Sequence, residues 1–124
     1  MKKTVLALIG LSLILVGCGG GATSLYRWGA FPQQTYNYMS EKSKTSPLEQ
    51  IAHLEKDLEK SKAENRAVPP GLYAHLGLLN LDIQNAQQAA MYFQLEKQVY
   101  PESTVLMNRL LQRMGAKNSN GVKK

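Results

Sequence analysis

The sequence of 124 residues contains 15 basic and 9 acidic side chains, which give a formal net charge of +6 at neutral pH. These charges are interspersed, so they do not form the basic stripe that is typical of nucleic-acid binding. The chain has one cysteine, which excludes an internal disulfide. Its length is sufficient for one small domain with a modest core.

The first 17 residues have the organisation of an export signal. Lys2 and Lys3 precede the apolar run TVLALIGLSLILVG, and this run ends at Cys18. A basic start, a short apolar core and small residues before a processing point are typical of such signals. At roughly 14 residues, the run is also shorter than the ~20 that a membrane-spanning helix requires. We therefore expect residues 1–17 to be removed, which would lower the net charge to +4.

The end of this signal, Leu15-Val16-Gly17-Cys18, resembles the lipobox of bacterial lipoproteins. The resemblance implies a diacylglyceryl group on Cys18, cleavage before it, and acylation of the new amine with a fatty acid such as palmitate. The alternative is an ordinary secretory signal, which would leave a free thiol in an oxidising compartment. Two or more acyl chains hold a protein firmly on a membrane. Gly19, where some sorted lipoproteins have aspartate, implies the inner leaflet of the outer membrane and exposure to the periplasm.

An aromatic segment follows a short tether. The glycine-rich stretch GGGATS predicts a flexible tether over residues 18–25. The next stretch, LYRWGAFPQQTYNYM, holds the one tryptophan and three of the six tyrosines. Tyr36 and Met39 are three residues apart, as on a short helix. Two interpretations remain open: the aromatic side chains, Tyr26 and Trp28 among them, cap a helical core, or they dock a protein partner.

Ser46-Pro47-Leu48-Glu49 has the pattern of a helix start. Ser46 can cap, Pro47 fits the first helical position, and Glu49 completes a capping box. The pattern predicts an amphipathic helix over residues 47–65. Its apolar stripe comprises Leu48, Ile51, Leu54 and Leu58. Its remaining surface is predicted to be a solvated charged face of Glu55, Lys56, Asp57, Glu59 and Lys60.

The stretch VPPGLYAHLGLLNL, residues 68–81, predicts a helix that is apolar on nearly every side. Its spacing and that of the following residues resemble the 34-residue tetratricopeptide pattern W-x₂-L-G-x₂-Y…A-x₃-F…P. The matching residues are Tyr73, Leu76, Gly77, Ala89, Phe93 and Pro101. Gly77 and Ala89 are small enough for two antiparallel helices to approach closely, and Pro101 ends the second helix. Asn80, Gln84 and Glu96 depart from the pattern.

One such hairpin cannot bury its own faces. We expect one face of its first helix to contact the second helix, through Leu72, Tyr73, Leu76 and Leu79. The opposite face, Ala74, Leu78 and Leu81, is a candidate partner-binding groove. It is covered either by the 47–65 helix or by a segment of another protein.

The last apolar stretch, VLMNRLLQRM, predicts a capping helix that ends at Gly115 and is followed by a polar tail over residues 116–124. The predicted fold is therefore all-α, with a helical domain over residues 26–115. It is a short helical array with one tetratricopeptide-like hairpin between an N-terminal amphipathic helix and a C-terminal capping helix.

Four blocks together resemble an uncharacterised family of small bacterial outer-membrane lipoproteins. The blocks are Tyr26-Arg27-Trp28-Gly29, Pro69-Pro70-Gly71, Ala74-His75-Leu76-Gly77 and Tyr100-Pro101-Glu102-Ser103. Members are often encoded beside a lipoprotein similar to the curli secretion channel and a second small lipoprotein. The resemblance implies a role in a cell-envelope assembly, with that channel-like lipoprotein as a possible protein partner, and it brings no enzymatic activity.

No reaction chemistry is predicted. His53 and His75, the two histidines, fall on different helices, so a metal site is not expected. Glu96 and Glu102 are interpreted as surface charges, and no catalytic residue or cofactor is expected beyond the lipid on Cys18. The first functional hypothesis is a non-catalytic scaffold or accessory subunit. The alternatives are a pilotin-like periplasmic carrier of an outer-membrane channel subunit and a module that binds a small molecule or peptidoglycan.

Overall fold

The computed structural model describes residues 24–40 and 45–121, and five α-helices make up most of this part of the chain. They are α1 (Phe31–Met39), α2 (Pro47–Ala63), α3 (Leu72–Asp82), α4 (Ala86–Val99) and α5 (Thr104–Gly121). A 3₁₀ turn, Pro101–Ser103, connects α4 to α5. The predicted all-α class is confirmed.

The helices form an array in chain order, because each helix packs on the next: α1 on α2, α2 on α3, α3 on α4 and α4 on α5. The antiparallel pair α3–α4 has the most extensive contact and lies at the centre of the array. Helices α1 and α5 are therefore the two outer helices.

One apolar cluster lies between α2 and α3. Leu72, Leu76 and Leu79 of α3 are fully buried. Their cluster includes Phe31, Ile51, Leu54, Leu58 and Tyr92. The expected contact of this face with the hairpin partner is present, because Tyr73 stacks on Tyr92 of α4 and Tyr92 belongs to the cluster. Side chains of α1 and α2, which the sequence did not place here, cover the face as well. The predicted 47–65 helix does pack on α3, but on this face.

A second apolar cluster lies between α3, α4 and α5. Its buried centre is Ala89, Phe93 and Met107. Ala74, Leu78 and Leu81 of α3 are half-buried against this centre, as are Leu110, Leu111 and Met114 of α5. The expectation that α2 could cover the Ala74–Leu78–Leu81 face is therefore wrong, because α4 and α5 lie there instead.

Several predicted helix signals are confirmed. The Ser46 side chain accepts a hydrogen bond from the Glu49 amide at 3.2 Å, and the Glu49 carboxylate accepts one from the Ser46 amide at 3.0 Å. A Cβ atom at Gly77 would collide with the Phe93 ring, so glycine is required for the close approach of α3 and α4. Helix α4 ends at Val99, just before Pro101.

Three predictions about α2 and α5 are wrong. Leu48 is 64% exposed, because it lies in the first turn of α2 beyond the reach of α3. Asp57, assigned to the solvated face, is buried. Helix α5 passes through Gly115 and ends at Gly121, since a glycine costs a helix only about 1 kcal/mol.

Candidate functional site

Residues 24–30, here called the N-terminal strap, run beside the loop that joins α2 to α3. Tyr26 forms an isolated parallel bridge with Ala67. The Arg27 amide donates to the Ala67 carbonyl at 3.1 Å, and the Ala67 amide donates to the Leu25 carbonyl at 3.3 Å. These bonds satisfy backbone groups of both segments and hold the strap against the helical array.

Charged side chains hold the strap at both ends. The Arg66 guanidinium donates to the carbonyls of Ser24 and Tyr26 at 2.8 and 3.0 Å. Arg27 forms a salt bridge of 2.7 Å with Glu64. At the other end, the buried Asp57 carboxylate accepts a hydrogen bond from the Ala30 amide at 2.6 Å. This contact explains why Asp57 is buried although it belongs to a charged helix.

Five rings form a continuous row from the strap to α3. Tyr26 contacts Trp28 edge-on, with 5.9 Å between ring centroids, and Trp28 stacks on Phe31 at 6.4 Å. Phe31 and Tyr38 then contact the His75 ring from two sides, at 6.0 and 5.1 Å. Phe31 is buried, and Trp28 remains 45% exposed. The row therefore leads from the strap, where Trp28 is accessible to solvent, to the buried His75.

His75 is the most deeply placed titratable group of this row. Burial lowers the pKa of His75, while the nearby Asp82 carboxylate and a hydrogen bond with the Gln34 backbone raise it. Burial dominates, because the rings of Phe31 and Tyr38 exclude water from the imidazole. The predicted location of His75 in the core or groove is confirmed, and its environment favours the neutral form.

The prediction that Glu96 is a surface charge is wrong. Its side chain is 2% exposed, and it accepts hydrogen bonds from the amides of Gly71 and Ala74 at 2.8 and 3.3 Å. Burial raises the pKa of Glu96, although these amides act in the opposite direction. Glu96 thus caps α3 from a neighbouring helix. The signal in the sequence is the start VPPG, which offers α3 no side-chain cap of its own.

The residues predicted to bind a partner are distributed over two places. Tyr26 and Trp28 lie in the strap, where Tyr26 is half-buried. Ala74, Leu78 and Leu81 lie on α3, half-buried against the cluster of Ala89, Phe93 and Met107. Cys18, the predicted lipidation site, lies outside the described residues.

The described part of the chain contains neither a metal-binding cluster nor a membrane-spanning helix. Within residues 24–40 and 45–121, no group of three or more His, Cys, Asp or Glu side chains is arranged to hold a metal ion. His53 is exposed on α2. None of the helices in these ranges has the length and apolar character needed to cross a membrane.

The fold and these surfaces define a small all-α domain in which an aromatic strap closes one side of a helical array. The chain belongs to the family of a domain of unknown function, DUF4810, which matches residues 25–110. The match begins in the strap and ends within α5, so it covers nearly the whole array. No curated protein and no solved structure matches the chain.

Proposed function

We propose that this protein is a lipid-anchored, non-catalytic scaffold of the bacterial cell envelope, which docks a protein partner on the periplasmic side of the outer membrane. The sequence Leu15–Cys18 supports the anchor, because it combines a lipobox-like motif with an export signal. The helical array supports the docking role, since it presents a half-buried apolar strip of α3 to a partner.

One observation carries the docking role. Helix α3 is apolar on nearly every side, yet its face formed by Ala74, Leu78 and Leu81 is only half-buried. The opposite face, by contrast, is buried against side chains of α1, α2 and α4. A strip of apolar side chains that the described part of the chain leaves half-covered is the type of surface that binds a helix or an extended segment of a partner.

The order of the helices supports this interpretation. Phe31 and Tyr38 of α1 contact His75 on one side of α3. On the other side, Leu78 and Leu81 pack against a cluster to which α5 contributes Met107. Alternate helices are therefore neighbours, as are the first helices of successive tetratricopeptide repeats. In such arrays these helices line a concave binding surface. This arrangement supports the tetratricopeptide-like description of the hairpin.

The resemblance noted for the sequence supports the choice of partner, which we propose to be the curli-secretion-channel-like lipoprotein. Two proteins anchored in the same leaflet have a high effective concentration for each other. A partly covered groove of modest affinity is then sufficient for a lasting complex.

The docking surface is tested by Leu81→Lys, which places a charge at the edge of the groove. A long cationic side chain near the end of α3 can extend to solvent and is compatible with the helix dipole, so the fold should persist. Met91→Lys on the exposed side of α4 is the matched control. We expect the Leu81 variant to lose co-purification with the channel-like lipoprotein and the Met91 variant to keep it. Equal recovery of the partner by both folded variants would contradict the proposal.

The anchor is tested by Cys18→Ser in the full chain. Without the thiol no diacylglyceryl group can be attached, so we expect the variant to move from the membrane pellet to the soluble fraction. Sedimentation equal to that of the unaltered chain would exclude a lipid anchor at this position.

A further inference from the structure

The strap and α1 together carry almost no charge. Between Ser24 and Ser40 the one charged residue is Arg27, and its guanidinium is engaged by the Glu64 carboxylate at 2.7 Å. Helix α1 itself, FPQQTYNYM, has no charged side chain. Helix α2, in contrast, presents Glu and Lys side chains to solvent, as surface helices ordinarily do.

Large apolar side chains on this charge-free part of the chain are exposed. Trp28, Tyr36 and Met39 have 45%, 67% and 77% of their surface accessible. Tyr36 and Met39 are three residues apart and lie on one side of α1, whereas Phe31 and Gln34 face the core. The exposed side of α1 thus presents Tyr36 and Met39 beside the polar but uncharged Gln33, and the described part of the chain leaves it uncovered.

Trp28 is held in a defined position rather than projecting on a free segment. Its ring stacks on Phe31, with an interplanar angle of 5°, and contacts Tyr26 edge-on. The backbone on either side of it is bonded to Ala67 and Asp57. The exposed part of the indole therefore belongs to a fixed surface.

The length of chain before this surface limits how far it can lie from a bilayer. Six residue steps separate Cys18 from Ser24, and a fully extended chain spans at most about 3.6 Å per residue, or about 22 Å in total. The strap and α1 are the elements that follow this connection directly. A lipid on Cys18 would consequently keep them close to the headgroup layer.

We propose that Trp28 and the Tyr36–Met39 side of α1 lie in the headgroup layer of the membrane to which the chain is anchored. The proposal rests on the lipid anchor of the proposed function and goes beyond it by assigning phospholipid, rather than protein, as the occupant of this surface. Tryptophan and tyrosine are enriched at membrane–water interfaces because their rings are amphipathic. A charge-free helix can enter this layer without the cost of desolvating an ion.

The protein contains a single tryptophan, so its fluorescence reports on Trp28 alone. The full-length lipidated protein is reconstituted into vesicles of phosphatidylethanolamine and phosphatidylglycerol. Half of the vesicles carry acyl chains brominated close to the headgroup, since bromine quenches indole only at short range. We expect emission at shorter wavelength than that of soluble Cys18→Ser, and loss of most of the intensity in the brominated vesicles.

Paired variants distinguish this face from the rest of the surface. Tyr36→Asp with Met39→Asp should restore most of the Trp28 emission in brominated vesicles, because the charged helix leaves the headgroup layer. Val105→Asp with Leu106→Asp changes two residues that are 64% and 57% exposed on α5, at the other end of the array. This control pair should leave the quenching unchanged. Far-UV circular dichroism verifies that both pairs are folded.

The quenching and sedimentation results together distinguish a failure of the membrane contact from a failure of the lipid anchor. Unquenched Trp28 in a chain that still sediments with the vesicles would overturn the membrane contact and leave the anchor intact. Failure to sediment would overturn both. Protection of Trp28 that requires a second copy or an added envelope protein, without quenching by bromine, would assign the surface to a protein and overturn the inference.

Discussion

At the scale of single residues, the closest contact between two helices depends on Gly77. Its position opposite the Phe93 ring leaves no space for a Cβ atom. Gly115 offers a comparison, because a Cβ atom there would meet no atom within 4 Å. Both glycines are helical, so the difference between them reports on packing and not on backbone preference.

We predict that Gly77→Ala destabilises the fold whereas Gly115→Ala stabilises it. Overpacking of a close contact costs about 1–3 kcal/mol, which exceeds the gain of up to about 1 kcal/mol when alanine replaces glycine in a helix. Gly115→Ala should show this gain alone. Urea denaturation of both variants measures the free energy of unfolding, and equal effects would show that Phe93 moves aside.

A second residue-scale prediction concerns Asp57, whose carboxylate accepts the Ala30 amide. Asp57→Ala leaves this amide without its partner, and an unsatisfied buried donor costs about 1–3 kcal/mol. Glu59→Ala changes an exposed acid two residues away on the same helix and should alter stability little. Chemical denaturation of the two variants makes the comparison. A similar loss in both would mean that the strap does not depend on this bond.

At the scale of elements, α3 depends on α4 for its own start. Gly71 at the N-cap has φ +88° and no side chain to accept the free amides. The Glu96 carboxylate supplies the missing acceptor, at Gly71 and Ala74. Because 25 residues separate Glu96 from Gly71 along the chain, this cap forms only when the hairpin is closed. Capping of α3 and packing of the hairpin are therefore coupled.

This coupling predicts a pH dependence of stability. The folded pKa of Glu96 is raised above its ordinary 4.5, chiefly by burial, so the folded state binds a proton more readily than the unfolded chain. The contribution of the protonated Glu96 to the free energy of unfolding is complete below pH 4.5. It is lost as the pH rises through the higher pKa of the folded state. Glu96→Gln cannot ionise and lacks this loss.

We expect the stability advantage of the unaltered chain over Glu96→Gln to shrink as the pH is raised from 4.5 toward neutrality. Chemical denaturation at a series of pH values measures it, with the exposed Glu59→Gln as control. An advantage that grows with pH would mean that the two amides stabilise the carboxylate more than burial disfavours it.

At the scale of the whole molecule, the features predictable from sequence were those set by residues near one another in the chain. The capping box of Ser46 and Glu49 lies within one helical turn, and the Gly77 and Ala89 positions follow from repeat spacing. Both are confirmed. Periodicity also identified α2, because its apolar stripe recurs every three or four residues.

The features that could not be predicted depend on contacts between distant segments. Asp57 and Glu96 were assigned to solvent as charged residues. The start VPPG indicates that α3 lacks a side-chain cap, but nothing near Gly71 or Ala30 in the chain indicates which distant carboxylate accepts their amides. The same limit explains why the prediction of which helix covers the Ala74–Leu78–Leu81 face was wrong. A helix that is apolar on all sides does not reveal which neighbour lies on which side.

The contact between α1 and the rest of the array leads to a last prediction, because it encloses His75 between Phe31 and Tyr38. Burial holds the pKa of His75 below its ordinary 6.5, despite the opposing influence of Asp82. The unfolded chain therefore takes up a proton more readily. The contribution of the neutral His75 to the free energy of unfolding is complete above pH 6.5. It is lost as the pH falls from 6.5 through the lower pKa of the folded state.

His75→Gln removes this loss, and His53→Gln, which changes the exposed histidine of α2, is the matched control. Both are made in the Glu96→Gln background, because Glu96 changes stability in the opposite sense as the pH falls. Denaturation followed by Trp28 fluorescence should show stability decreasing below pH 6.5 in the His53 variant and a flatter profile in the His75 variant. Since Trp28 stacks on Phe31, its emission should respond first if protonation of His75 loosens α1. Identical profiles for the two variants would mean that α1 does not seal the imidazole from water.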